Sequence, residues 1–280
     1  MYIIILNSEG FFMNLLITLN SNYIFPLCVM LHSLALSNAS NHFDIYVVYS
    51  SLTEDDFKMM ERALGSADAV IHRVTVDEKI FDSAPVLSRI SKETYYRLLI
   101  SELIPDDVHR ILYIDPDTVV IRDLSKLYNL DLKGNVLAAG THMKGIVRKF
   151  NVNRLGLKKD SNYFNAGVML IDVDKWKEYA PAEKILKFIS DNIKKLKLGD
   201  QDVVNMMFED KILLFDERYY NLDEKIFFAK SFRIYTSQPI NREWVRNNTV
   251  IVHYNGSYKP WKTKKYFGRL GEYFEKYRNF

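Results

Sequence analysis

The chain has 280 residues, of which 48% are hydrophobic and 26% are charged, a composition typical of globular proteins and not of disordered or fibrous ones. Its formal net charge of +3 at pH 7 is too small to indicate nucleic-acid binding. The sole cysteine, Cys28, excludes an intrachain disulfide and favours a reducing compartment, here the cytoplasm.

Strands and helices are predicted to alternate along the chain, which favours an α/β fold with a Rossmann-like sheet flanked by helices. The apolar patterns predict strands at 14–19, 44–49, 69–76, 110–114, 118–121, 135–140, 166–172, 212–215 and 248–254. Helices are predicted at 22–37, 91–103, 182–198 and 200–208, with another starting at Thr53, where Thr53 and Asp56 have capping-box spacing. Ligands of such sheets bind beyond the carboxyl ends of the strands, so residues that follow strands are the candidates for function.

Both ends of the chain differ from its middle. Residues 1–12 are predicted to be an N-terminal extension, because Met13 resembles a second start with the first clear strand directly after it. The apolar start has no positively charged leader and is a poor signal peptide. The main domain is predicted at 13–261. The tail at 262–280 mixes Lys and Arg with aromatic residues, which suits either peripheral contact with an anionic membrane surface or a helix packed on the domain.

Two acidic residues end the predicted strand 110–114. Asp115 and Asp117 flank Pro116, which removes a backbone donor and prevents the strand from simply continuing. Carboxylate oxygens presented in this way suit Mn²⁺ or Mg²⁺, and such a metal can neutralise a diphosphate leaving group. The alternative is an ordinary turn, in which Asp and Pro are common.

The same residues resemble a second family, the haloacid dehalogenase-type phosphatases, whose first strand is followed by Asp-x-Asp-x-Thr/Val. That family places the motif near the N-terminus and carries a later Gly-Asp-x-x-x-Asp. Here the motif lies beyond residue 110, and Val204 stands where the second acid of the later motif belongs. The phosphatase interpretation is therefore the weaker one.

A late strand delivers the second candidate group. The predicted strand 248–254 carries His253, and Gly256 and Lys259 follow it in a turn. Glycine permits backbone to approach a phosphate closely, and lysine offers it a cation. A histidine with two carboxylates is a reasonable ligand set for Mn²⁺.

Six segments in this order make the chain resemble glycosyltransferase family 8, which includes bacterial lipopolysaccharide galactosyl- and glucosyltransferases and the glycogenins. The segments are Asn-Tyr at 22–23, Tyr-Arg-Leu at 96–98, Leu-Tyr-Ile-Asp-Pro-Asp at 112–117, Tyr-Phe-Asn-Ala-Gly-Val at 163–168, Gly-Asp-Gln-Asp at 199–202 and the run 253–261. The resemblance covers about residues 13–261. It implies the glycosyltransferase A-type fold and a retaining transfer from a UDP-sugar, usually UDP-galactose or UDP-glucose, with Mn²⁺.

The resemblance also implies roles for individual residues. The metal ligands would be Asp115, Asp117 and His253, and the catalytic residues would be Gln201, near the anomeric carbon, with Asp200 and Asp117. The remaining donor-site residues would be Tyr23, stacked on uracil, with Asn20 and Asn22 beside the nucleotide, Arg97 paired with the donor, Asn165 and Ala166 at the sugar, and Gly256 and Lys259 on the diphosphate.

Two positions depart from the family's pattern. Members usually have an acidic residue where this chain has Asn20. The amide in its place weakens one contact to the uracil ring. Several members carry an acid near the acceptor, where this chain reads Thr141-His142-Met143, so the acceptor is expected to differ. These departures keep a second hypothesis open, a UDP-sugar-binding protein that does not turn over.

Overall fold

A seven-stranded mixed sheet forms the centre of the protein. The computed structural model describes residues 10–77, 93–141, 145–232, 239–263 and 265–280. The sheet has the strand order β3-β2-β1-β4-β7-β6-β8. Its strands are β1 (Phe12–Thr18), β2 (His42–Tyr49), β3 (Ala69–Thr75), β4 (Arg110–Ile114), β6 (Leu137–Ala139), β7 (Val168–Asp172) and β8 (Ile212–Leu214). β5 (Thr118–Val120) and β9 (Ile251–His253) form a separate two-stranded sheet.

Thirteen α-helices are found among the described residues. They are α1 (Ile24–Ser37), α2 (Glu54–Leu64), α3 (Glu93–Tyr96), α4 (Ile100–Leu103), α5 (Ser125–Tyr128), α6 (Gly145–Leu155), α7 (Val173–Tyr179), α8 (Ala182–Asn192), α9 (Asp200–Met207), α10 (Glu217–Tyr220), α11 (Glu224–Lys230), α12 (Arg242–Asn248) and α13 (Gly271–Tyr277). A 3₁₀ turn, Ser21–Tyr23, precedes α1. The α/β architecture expected from the sequence is confirmed.

The direction of the strands brings distant segments to one edge. β3, β2, β1 and β4 run parallel, whereas β7 runs antiparallel to β4. The carboxyl ends of β1 and β4 therefore meet the start of β7, where Ile114 pairs with Val168 and the Asp115 N–H donates to the Gly167 carbonyl at 2.8 Å. Residues 115–117 and 165–167 are thus neighbours because of strand polarity.

The sheet is covered on both faces by apolar side chains. One cluster includes Tyr113, Met169 and Trp176, and the other includes Leu15, Leu31 and Phe57. Along the inner strands, both faces of β1 and β4 are buried, as expected for a sheet with helices on either side. This core fixes the strand ends on which the candidate site is built.

Most predicted elements lie within two residues of those observed, and the capping box at Thr53 is present. The helix predicted at 91–103 is instead two short helices, α3 and α4, separated by residues 97–99, with residues 91–92 outside the described part of the chain. The break consists of tighter turns, in which the N–H groups of Leu98 and Leu99 donate to the carbonyls of Tyr95 and Tyr96. It directs the Arg97 side chain towards Asp115.

The predicted helix 182–198 also ends early, at Asn192. The Asn192 amide donates to the Phe188 carbonyl, and the chain then turns so that the Leu198 N–H reaches a carboxylate oxygen of Asp202 at 2.8 Å. The segment 193–198 is therefore a loop held by the start of α9.

The aromatic residues of the C-terminal tail pack inward. In α13, Tyr273, Phe274 and Tyr277 are buried in a third apolar cluster, and Phe274 contacts Phe25 of α1 at 6.0 Å between ring centroids. Of the two alternatives expected for the tail, a membrane contact or a helix packed on the domain, these three residues follow the second. No helix among the described residues is long and apolar enough to cross a membrane.

Both proposed chain boundaries can be compared with the strands. β1 begins at Phe12, and Met13 is buried, whereas residues 1–9 of the expected extension lie outside the described residues. The division of the chain at residues 12 and 261 stays a prediction.

Candidate active site

Three metal-ligating side chains meet at the edge of the sheet. One ligand atom each from Asp115, Asp117 and His253 lies within 4.8 Å of the others. His253 Nε2 is 3.1 Å from Asp117 Oδ1 and 3.6 Å from Asp115 Oδ2. Two carboxylates and an imidazole within this distance fit a divalent cation.

The two-stranded sheet brings these ligands together. Thr118 of β5 lies in register with His253 of β9, and the Tyr254 N–H donates to the Asp117 carbonyl at 2.9 Å. A histidine and a carboxylate that are 136 residues apart are thereby held by backbone hydrogen bonds.

Asn221 fixes the orientation of the histidine ring. His253 Nδ1 lies 2.8 Å from Asn221 Oδ1, which accepts a hydrogen bond from the ring when Nδ1 carries the proton. In that tautomer, Nε2 keeps its lone pair and faces the two carboxylates. Such an orienting partner behind a metal-bound histidine is a recurrent feature of metal sites.

Asn221→Leu is therefore expected to weaken the binding of a divalent cation at this cluster about 10–100-fold, the usual effect of removing a partner of a metal ligand. The measurement is a calorimetric titration of the protein with Mn²⁺ as the probe. Asn221→Asp keeps an acceptor opposite Nδ1 and should retain most of the affinity. Equal loss in both variants would contradict an orienting role for the Asn221 oxygen.

A chain of amide groups extends from this histidine to Gln201. The Asn221 amide donates to Asn165 Oδ1, and the Asn165 amide donates to Gln201 Oε1, both at 2.9 Å. The Ala166 N–H also approaches Gln201 Oε1, at 3.4 Å. The Gln201 oxygen is thus engaged by two donors.

Gly167 makes space for the cluster. A Cβ atom at this position would lie 2.3 Å from His253 Cε1 and 2.6 Å from Asp115 Oδ2. Any side chain at position 167 would displace two of the three candidate ligands. The site therefore requires a glycine here. The sequence pattern contains Gly167, but its spacing alone did not single the residue out.

Arg97 links the candidate metal site to Asp200. Its Nη1 donates to Asp115 Oδ1 at 2.8 Å, and its Nε lies 3.1 Å from Asp200 Oδ2, at an angle that makes an ion pair but no hydrogen bond. The guanidinium also lies over the Tyr113 ring, 4.4 Å from its centroid. The Arg97 guanidinium thereby forms ion pairs with two carboxylates.

The charges in the site perturb one another. Burial raises the pKa of Asp200 to about 6 and Asp115 adds to the increase, while Arg97 partly offsets both. Burial would also raise the pKa of Asp117, but His253 and Lys259 together hold it below its usual value. Burial would lower the pKa of His253, and its two carboxylate neighbours raise it instead.

Two cavities meet at Arg97 and Asp115. The larger, about 690 Å³, is lined by Asn165, Ala166, Asp200, Gln201 and Gly256 among others, and the smaller, about 160 Å³, lies beside Asn20, Tyr23 and Asp117. A ligand with two parts of different size can therefore extend across the carboxylate cluster.

The remaining predicted residues lie in and around these cavities. Lys259 is buried and its ammonium contacts Asp117, while Gly256 has a φ of +93°, which favours glycine. The Asn20 side chain accepts from the Asn22 N–H at 3.1 Å, and Asn22 is itself exposed and lines neither cavity.

At the expected acceptor region, Thr141 lines the larger cavity, whereas His142 and Met143 lie outside the described residues. The structure thus places ten of the thirteen predicted site residues on the lining of the two cavities, with His253 and Lys259 against Asp117 and with Asn22 at the periphery. It also adds Asn221, which lies beside His253, and shows why the motif at 163–168 contains Gly167, next to His253 and Asp115.

Comparisons with known proteins identify the family and the fold of the chain. The profile of glycosyl transferase family 8 matches residues 14–265. The general stress protein A of Bacillus subtilis is 30% identical over 82% of this chain and 80% of its own length. The glycosyltransferase GlyF of Streptococcus pneumoniae is 28% identical over 95% of this chain, which spans 61% of GlyF.

A lipopolysaccharide 1,2-glucosyltransferase of Escherichia coli is 27% identical over 89% of this chain and 72% of its own length. Among solved structures, the galactosyltransferase LgtC in complex with donor and acceptor sugar analogs superposes with a TM-score of 0.76 over 95% of both chains, at 24% identity. That likeness concerns the fold, which is the glycosyltransferase A-type fold expected from the sequence.

Proposed function

The chain belongs to glycosyltransferase family 8, and on that premise we propose that it transfers a hexose from UDP-galactose or UDP-glucose to a saccharide or glycan acceptor. We propose further that the transfer depends on Mn²⁺, with Mg²⁺ as the alternative, and retains the anomeric configuration. The family match leaves the phosphatase interpretation without support. The lone buried Cys28 is consistent with a cytoplasmic location, which stays part of the proposal.

The observation that carries this proposal is the position of the Asp115, Asp117 and His253 cluster at the junction of two cavities. The smaller cavity, beside Tyr23, suits a uracil base, and the larger, beside Gln201, suits the sugar and its acceptor. The cluster would then lie at the diphosphate between them. A divalent metal bound there would supply positive charge to the leaving diphosphate.

Protein groups add to this stabilisation. Lys259 lies beside Asp117, so its ammonium can stabilise negative charge that develops on the diphosphate. The positive φ of Gly256 allows the backbone after β9 to approach a phosphate closely. Arg97 lies where the two cavities meet, and its partner Asp200 lies on the sugar side, where it can accept hydrogen bonds from sugar hydroxyls.

The geometry favours front-face attack over a covalent intermediate. An amide is a poor nucleophile, and the Gln201 oxygen already accepts from Asn165 and lies near the Ala166 N–H. Asp200 is ion-paired with Arg97, which reduces its nucleophilicity. We therefore propose that the acceptor hydroxyl attacks from the leaving-group side and passes its proton to the diphosphate oxygen. Trapping of a glycosyl adduct on either residue would refute this route.

The test is UDP release from a panel of UDP-sugars, measured with Mn²⁺ and with a chelator. We expect Mn²⁺-dependent release from one sugar even without acceptor, as slow donor hydrolysis. Clear UDP binding with no release from any sugar, also in the presence of a glycan acceptor panel, would favour the non-catalytic binding protein. A product of inverted configuration would refute the retaining assignment.

Tyr23→Ala is expected to weaken UDP binding by about 1–3 kcal/mol, the usual contribution of one aromatic side chain stacked on a base. The Tyr23 ring is half-buried and meets Trp261 edge to face at 6.2 Å, so that neighbour holds its orientation. Calorimetry with UDP measures the effect, and Tyr23→Phe should bind as the parent does. An unchanged affinity in Tyr23→Ala would remove the stacking role.

A further inference from the structure

Two segments at the mouth of the larger cavity expose apolar side chains to solvent. In α6, Ile146, Val147 and Phe150 are 85%, 54% and 58% exposed, and in the loop 193–198 Leu198 is 42% exposed. Val147 and Leu198 both line the cavity. We call α6 and the loop 193–198 together the mouth surface.

The mouth surface is also strongly basic. Its two segments, Gly-Ile-Val-Arg-Lys-Phe-Asn-Val-Asn-Arg-Leu and Ile-Lys-Lys-Leu-Lys-Leu, contain no acidic residue. Arg154 is bound to Asp202, and Arg148 donates to backbone carbonyls. Lys149, Lys194, Lys195 and Lys197 are exposed, and the Lys197 ammonium lies 5.8 Å from the Phe150 ring centroid.

Two acidic residues near this surface are paired with lysines outside it. Asp191, just before the loop, pairs with Lys187 at 3.0 Å, and Asp210 pairs with Lys158. The positive charge of the mouth surface is therefore not offset within it. A surface that combines exposed large apolar side chains with lysines is typical of segments that lie in the interface of an anionic membrane.

We propose that the mouth surface docks on a bilayer that contains anionic phospholipid, with Ile146 and Phe150 in the headgroup region and the lysines on the phosphates. This orientation turns the mouth of the larger cavity towards the lipid. The consequence for catalysis rests on the proposed function: the acceptor would be a saccharide presented at the membrane surface.

The basic–aromatic tail is a weaker candidate for this contact. The α13 residues Tyr273, Phe274 and Tyr277 are buried against the domain. Phe267 is 75% exposed and so offers a matched control for the mouth surface, because it is a large apolar side chain in the tail.

The experiment is co-sedimentation of the full chain with vesicles of phosphatidylcholine alone or mixed with phosphatidylglycerol. Wild type is expected to bind the anionic vesicles and to lose binding as salt increases. The double variant Ile146→Ser/Phe150→Ser should reduce the partition coefficient at least about tenfold, because two exposed apolar side chains are removed. Lys149→Gln/Lys194→Gln should reduce it about tenfold to thirtyfold, and Phe267→Ser should leave it unchanged.

Melting temperature and UDP affinity should be unchanged in all three variants, since none of these residues lines either cavity. Failure of wild type to bind anionic vesicles, or full binding by Ile146→Ser/Phe150→Ser, would overturn the proposal. Loss of vesicle binding in Phe267→Ser alone would place the membrane contact in the tail and would also overturn the proposal. UDP release tests the proposed function separately, because vesicle binding needs no sugar transfer.

Discussion

Asp115→Asn is expected to reduce metal-dependent UDP release by about 10³-fold while the fold persists. Metal binding supplies several kcal/mol of charge stabilisation in the transition state, and each 1.36 kcal/mol corresponds to a factor of about ten in rate. The amide has the shape of the carboxylate, so packing against Tyr113 is kept. Arg97, which loses its partner at 2.8 Å, still has Asp200 at 3.1 Å.

The measurement is kcat/KM for UDP release at saturating Mn²⁺, together with thermal unfolding. Asp174→Asn is the matched control, because Asp174 is an exposed carboxylate on α7 that pairs with His109 outside the site. Normal turnover in Asp115→Asn would refute the metal-ligand role of Asp115.

Asp117→Asn is expected to lose activity to a similar extent and also to lower the melting temperature. Asp117 is buried against Lys259 and His253, so its neutralisation leaves a buried lysine without its carboxylate partner. Breaking a buried ion pair in this way typically costs about 3–5 kcal/mol. The two aspartates therefore separate metal binding from fold stability, although they have the same proposed role.

Asp202→Ala is expected to destabilise the protein by about 3–5 kcal/mol, although Asp202 touches neither cavity. Asp202 is completely buried, and Arg154 donates to its two oxygens, each at 2.8 Å. The Tyr163 hydroxyl and the Leu198 N–H donate to it as well. Without the carboxylate, the mostly buried Arg154 guanidinium loses its ion-pair partner and keeps the Asn151 side chain and the Lys195 carbonyl as acceptors.

Urea unfolding measures this loss. The double variant Asp202→Leu/Arg154→Met should recover much of the stability, because replacing a whole buried ion pair with apolar residues is often neutral. A loss below about 1 kcal/mol in Asp202→Ala would instead place the pair among ordinary surface ion pairs. No recovery in the double variant would show that the hydrogen bonds from Tyr163 and Leu198 matter more than the ion pair.

The sequence predicts the site better than it predicts how the site is supported. Strand ends were recognisable because apolar runs stop abruptly at Asp115 and His253, and polarity at a strand end is a local signal. Asn221 carries no such signal, since it lies between two short helices and becomes relevant only through the ring of His253. Its role depends on tertiary contact and on nothing near it in the chain.

The break between α3 and α4 is a feature of the fold that the sequence pattern does not predict. The leucines at 98, 99 and 103 have helical spacing, and the prediction of one continuous helix followed from it. In the structure, all of Tyr95, Tyr96, Leu98 and Leu99 are buried while the chain turns more tightly between them. Burial on several sides and the ion pairs of Arg97 outweigh the local preference for a helix. The helical spacing of the leucines contains no information about either effect.

The pairing of β5 with β9 also determines when the site can exist. Asp117 and His253 are joined across a loop of more than a hundred residues, and closing so long a loop is slow and entropically costly compared with pairing β1 and β2. All seven strands of the main sheet precede β9 in the chain, so this sheet can form in a growing chain that still lacks a complete ligand set. The protein would acquire its fold before its candidate metal site, and a molecule that has lost only the β5–β9 pairing would keep the seven-stranded sheet while lacking the complete set of candidate ligands.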